Sequence, residues 1–184
     1  MAFLKILILN ISFLFTACSQ VSYLVHSGLG QLSIYNHEQK FEEVLKDSNI
    51  KPELRERLIW ITEIKKFVED TLSIPATKNY TTFVELKRPY VVWALTAAEP
   101  YQLQLKEWSF PLFGKFPYLG FFSKEKAEAW RRDLQEQGYD THLRGVAAYS
   151  TLGFLRDPFL SSMIGFNKSE LVNLIFHETL HSVV

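Results

Sequence analysis

Apolar residues recur every three or four positions in several parts of the chain, and between residues 80 and 122 that pattern gives way to a different one. From Pro52 to Leu72, the residues Leu54, Leu58, Ile61, Ile64, Phe67 and Val68 form one stripe of a helix. Pro52 suits a helix's first turn, where the missing N–H would have had no partner. Tyr35 to Lys46 has the same spacing and predicts another helix. Lys126 to Gln137 predicts a third, capped at Ser123 and ended at Gly138. The intervening residues, from Tyr80 to Phe122, are β-branched and aromatic, broken by Pro89, Pro100, Pro111, Gly114, Pro117 and Gly120. Short strands and turns fit that texture, with Tyr90 to Leu95 the clearest strand. Tyr139 to Tyr149 alternates as a further strand, and Val21 to Gln31, with Gly28 and Gly30, reads as extended or looped. Helices first, then strands, then a last helix indicate an α+β fold with a small mixed sheet. No repeat or low-complexity linker divides residues 18–184, which are expected to form part of one domain.

Composition narrows the partners. The chain of 184 residues is 47% apolar and 15% aromatic, enough to bury a sizeable core. Lys+Arg and Asp+Glu both number 20, so no overall positive charge is available to neutralise a phosphate backbone. Nucleic acid is therefore not an expected partner. A single cysteine, Cys18, excludes an intrachain disulfide.

The N-terminus reads as an export signal over residues 1–17. Lys5 supplies the positive end, Ile6 to Phe15 the apolar run, and Thr16-Ala17 the small residues before a cleavage site. That run is shorter than the roughly 20 apolar residues needed to cross a bilayer. Phe15-Thr16-Ala17-Cys18 looks like a bacterial lipobox, although Phe15 stands where that pattern usually has Leu. The expectation is lipidation at Cys18, a lipid anchor in a bacterial membrane and a globular part on the periplasmic face. Ser19 follows the cysteine where an inner-membrane retention signal has Asp, which favours the outer membrane.

Candidate chemistry lies near the C-terminus, in His177-Glu178-Thr179-Leu180-His181. Asn167 and Glu170 form a capping pair ahead of a run with helical spacing, which places this motif on a helix. Two imidazoles at i and i+4 then share a face and can converge on one Zn²⁺. Glu178, rotated by about 100° from His177, lies beside the metal, where a general base belongs. His177 and His181 are thus candidate metal ligands, and Glu178 is the candidate catalytic residue. A random ordering of this composition would produce the pattern in about one chain in a hundred, so its helical and exported context adds weight.

Several further blocks occur in order along the chain. Gly28 to Gln31, Arg88 to Trp93, Trp108 to Pro111, Ser150 to Phe154 with Asp157 to Ser161, and Leu174 to Glu178 together resemble a family of bacterial aminopeptidases related to the zincins. The likeness runs from about Val21 onward. It implies a zincin-like fold with an active-site helix bearing HExxH, a peptide substrate, and a later glutamate as third zinc ligand. No residue follows Val184, so the chain is expected to be a fragment with weak zinc binding and no turnover of its own. The competing expectation is a noncatalytic envelope lipoprotein with a decayed peptidase fold. Tyr149 is a further candidate, by analogy, for donating to an oxyanion. His26, His37 and His142 lack ligand spacing and are expected to be surface or hydrogen-bonded residues rather than ligands. Trp60, Trp93, Trp108 and Trp130 are expected to pack rather than bind.

Overall fold

The computed structural model describes residues 21–110, 114–151 and 155–181, with His181 described by its backbone alone. Among them are five helices and three small sheets, a mixed α+β architecture. In chain order they are α1 (21–35), β1 (Gln39–Lys40), α2 (Phe41–Lys46), α3 (Pro52–Asp70), β2 (Thr82–Val84), β3 (Val92–Ala98), β4 (Trp108–Phe110), β5 (Gly114–Phe116), β6 (Leu119–Phe121), α4 (Lys124–Glu136), β7 (Asp140–Val146), β8 (Phe159–Leu160), a 3₁₀ turn (Ser161–Met163) and α5 (Lys168–His181). The chain divides into two compact units, one of residues 1–33 and 93–144, the other of 34–92 and 145–184.

The first unit is built on the sheet β6-β3-β7. β3 and β6 run antiparallel with Trp93 opposite Phe121 and Leu95 opposite Leu119, and β4 pairs with β5 as a separate ribbon. Leu95, Trp108, Phe110, Leu119, Phe121 and Leu134 form the core, with Trp93 and Trp130 packed against it. Helix α4 begins where Ser123 Oγ accepts from Lys126 N–H at 3.3 Å and ends before Gly138, whose φ of +91° reverses the chain at low cost.

Helix α1 corrects the expectation of an extended segment at 21–31. Gly28 and Gly30 disfavour a helix by about 1 kcal/mol each relative to alanine. The packing of Gly30 explains one of them, since a Cβ there would run into the ring of Phe122. Tyr23, two turns earlier on the same face, offsets the cost further. Its ring stacks on Phe110 with centroids 5.4 Å apart and meets Phe121 edge-on at 5.3 Å, while its hydroxyl accepts from Gly120 N–H at 3.1 Å. Helix α2 is also shorter than the spacing from Tyr35 implied, because Gln39 and Lys40 leave helical geometry to pair with Phe83 and Thr82.

The second unit holds the sheet β1-β2-β8 with α2, α3 and α5. β2 runs antiparallel to β1 and parallel to β8, with Phe83 opposite Phe159 and Val84 opposite Leu160. A parallel pair requires a crossover connection, and here the whole 93–144 segment lies in the chain between its two strands. Leu58, Ile61, Val68, Val84, Phe159 and Ile175 are fully buried. Helices α3 and α5 pack on each other, with Phe67 and Phe176 rings 6.3 Å apart.

Alanine is the better helix former, yet Gly30→Ala is expected to destabilise the protein by about 1–3 kcal/mol through overpacking against Phe122. Denaturant unfolding midpoints of the two proteins check this; a gain in stability would contradict the close approach.

Candidate functional site

Helix α5 is set by local chemistry at its start. Glu170 N–H donates to Asn167 Oδ1 at 3.0 Å, and Asn167 N–H donates back to a Glu170 carboxylate oxygen at 2.7 Å. This reciprocal pair satisfies two donors at the helix N-terminus. From there Leu171 and Ile175 repeat at i and i+4 on the buried face, and the next turn of that face brings Glu178 and Thr179. Glu178 is 8% exposed. A carboxylate in line with a leucine and an isoleucine is out of place on packing grounds, because burying its charge is costly without compensation. His177, one position earlier, faces outward and is exposed. The side chain of His181 lies outside the described residues, as does Cys18.

Around Glu178 the fold gathers two groups that periodicity did not single out. Asp157 is 3% exposed and ties two segments together. Its N–H donates to Asn79 Oδ1 at 2.9 Å, and its carbonyl accepts from Tyr80 N–H at 2.7 Å. Its carboxylate accepts from Thr151 Oγ1 at 2.9 Å, from Thr151 N–H at 3.1 Å and from Ser150 Oγ at 3.1 Å. Tyr80 is buried and has a φ of +54°, in the left-handed region that a tyrosine rarely adopts. Such a conformation persists only where its surroundings hold it, and the short bond to the Asp157 carbonyl is one such hold.

Electrostatics link the three residues. Burial, followed by the charges of Glu178 and Asp157, pushes the Tyr80 phenol well above its ordinary range, so it stays a protonated donor at neutral pH. Burial also raises Asp157, and the Glu178 charge adds to that rise, while the hydrogen bonds from Thr151 and Ser150 oppose it. Two carboxylates and a phenol are thereby clustered within electrostatic reach of one another. Tyr149, the tyrosine named by analogy, is half-buried, whereas the one coupled to Glu178 is Tyr80.

His26, His37 and His142 are exposed, as expected. Among the described residues, no three His, Cys, Asp or Glu side chains are grouped to hold a metal ion. Positions 177 and 181 lie one turn apart on α5, a spacing at which two imidazoles are able to share one zinc ion, with Glu178 next to the first of them.

The profile of a family described as "Putative aminopeptidase" matches residues 22–184. The chain belongs to that family. No curated protein and no solved structure matches it. The match spans α1 to α5 and includes Tyr80, Asp157 and Glu178, so the buried cluster lies wholly within the shared region. The family description implies peptidase activity on a peptide substrate. No helix among the described residues is long and apolar enough to cross a membrane.

The raised pKa of Asp157 predicts a pH signature. Its folded value lies above the unfolded one, so its contribution to stability is fully present below about pH 3.9 and is lost as pH rises through the folded value. Relative to Asp157→Asn, the wild-type protein is expected to lose stability between pH 3.5 and pH 7. Unfolding midpoints of both proteins across that range check it, and parallel curves would contradict it.

Proposed function

We propose that this protein is a zinc-dependent aminopeptidase of the bacterial envelope, with a zincin-like arrangement in which His177 and His181 hold the metal and Glu178 is the general base. The observation that carries this reading is the position of Glu178. A side chain that packing alone would make leucine is a carboxylate, flanked by an outward-facing histidine on the same helix. Selection for stability would not place it there, because burying a carboxylate costs more than burying an apolar residue of similar size.

Zinc, when bound, supplies a Lewis acid that polarises the peptide carbonyl and acidifies water in its shell. The chain's own groups do the rest. Glu178 accepts a proton at a carboxylate oxygen from the attacking water and returns it to the departing amine. Tyr80, held as a neutral phenol, is a donor beside that carboxylate. Asp157 fixes Tyr80 through the backbone and keeps the 150–151 segment against it. The third zinc ligand implied by the family resemblance, a later glutamate, is not among the described residues. Anchoring at a lipidated Cys18, on the periplasmic face of the outer membrane, would bring this chemistry to exported peptides.

Glu178→Gln retains the size and hydrogen-bonding reach of the side chain but not its basicity. Hydrolysis of a leucyl anilide by the native gene product is expected to fall by about 10²–10⁴-fold in this variant, the usual contribution of a general base. Unchanged turnover would reject Glu178 as the base. Separately, Cys18→Ala is expected to move the protein from the membrane fraction to the soluble fraction, and equal membrane association would reject the anchor.

A further inference from the structure

In the second unit, a cleft of about 620 Å³ opens between α2, α3 and the segment leading into β2. Its charge is lopsided. Lys40, Lys65, Lys66, Lys78 and Arg156 line it, against only Glu42 and Glu69, in a chain whose formal net charge is zero. Two of the cations are already committed. Lys65 Nζ donates to the Thr77 carbonyl at 3.1 Å and lies 3.5 Å from Glu69, and Arg156 pairs with Glu38 at 2.7 Å. The ammonium groups of Lys40, Lys66 and Lys78 have no hydrogen-bond or ion-pair partner among the described residues.

Holding several like charges around one concavity is unfavourable until an anion enters, and a cleft concentrates their field. Burial lowers the pKa of Lys65, while the Glu69 carboxylate and a hydrogen bond to the Thr77 carbonyl support its charge. Its ion pair with Glu69 nonetheless fixes one wall of the cleft on α3. The cleft also adjoins the candidate site. Tyr80 is one of its lining residues and is the same tyrosine that feels the Glu178 charge. A peptide with its amino end at Glu178 would direct its carboxylates away from that acidic cluster, and this basic cleft borders it.

We propose that this cleft binds carboxylates of the peptide substrate, so that the protein prefers short peptides with acidic side chains and a free C-terminus. The assignment deepens the aminopeptidase reading and rests on it for the substrate's orientation. Lys40, Lys66 and Lys78 provide the recognition, Lys65 and Arg156 shape the walls, and the volume lies within the range of small-ligand sites. A site of this kind discriminates by charge, so its preference weakens as salt rises.

Equilibrium binding is measured with the Glu178→Gln gene product, which separates recognition from turnover. The probes are fluorescein-free Ala-Glu-Glu and its uncharged counterpart Ala-Gln-Gln-amide, followed by calorimetry at low and high salt. Ala-Glu-Glu is expected to bind about tenfold more tightly at low salt, and Lys40→Gln/Lys66→Gln/Lys78→Gln is expected to remove that difference while leaving the thermal midpoint within a few degrees. Equal binding of the two peptides, or a preference that survives the triple variant, would overturn the proposal. Inorganic phosphate binding more tightly than Ala-Glu-Glu would overturn it in favour of a phosphate site, and lysine-dependent capture by phosphatidylglycerol vesicles without peptide preference would overturn it in favour of a membrane contact. If the wild-type protein hydrolyses neither peptide yet the charge preference is present and lysine-dependent, the cleft assignment stands and the aminopeptidase reading fails.

Discussion

A buried carboxylate is stable only if hydrogen bonds replace the water it loses, and Asp157 meets that condition with donors from Ser150 and Thr151. The same residue uses both backbone groups to hold Asn79 and Tyr80, which lie far away in sequence. The parallel pairing of β2 with β8 begins just beyond this junction, at Phe83 with Phe159. Tyr80 keeps its left-handed backbone because of it, and the phenol's position beside Glu178 follows. One residue therefore couples the strand register to the composition of the candidate site.

The opposite wall is supplied by α5, and its design sets two demands against each other. Leu171 and Ile175 anchor the helix by burial, while Glu178 occupies the next place on the same face and receives no benefit from apolar surroundings. The capping pair at Asn167 and Glu170 and the packing against α3 stabilise the helix enough to carry that cost. Lys168 reinforces the α3 contact at the helix start, 5.6 Å from the Trp60 ring and 3.7 Å from Glu63. Tyr80 and Asp157 then bring a donor and a second carboxylate to Glu178, a concentration of titratable groups that marks functional sites more often than structural ones.

Features fixed by neighbours in sequence could be read before any fold was known. The stripe of α3 apart from Phe67, which is exposed, the Ser123 cap and Gly138 stop of α4, and the Asn167–Glu170 pair of α5 all depend on residues within a turn or two of each other. Helix α1 could not be read this way, because Gly30 looks like a helix breaker unless the ring of Phe122 is known to press against it. The site was half legible for the same reason. Glu178 stood out by its spacing from the two histidines, whereas Tyr80 and Asp157 are brought to it by a junction between segments 78 residues apart. The only trace of Asp157 in the sequence was its place in a block shared with the family, and Tyr80 left none.

We propose that α5 presents a metal-binding face whose neighbouring carboxylate is the base. Zinc content of the native gene product after dialysis against zinc-free buffer, measured beside His177→Ala and Glu178→Gln, addresses it most directly. The account predicts retained zinc in the wild-type protein and in Glu178→Gln, and loss of zinc in His177→Ala. Equal zinc in all three proteins, or zinc lost from Glu178→Gln but kept by His177→Ala, would contradict the assignment of these roles.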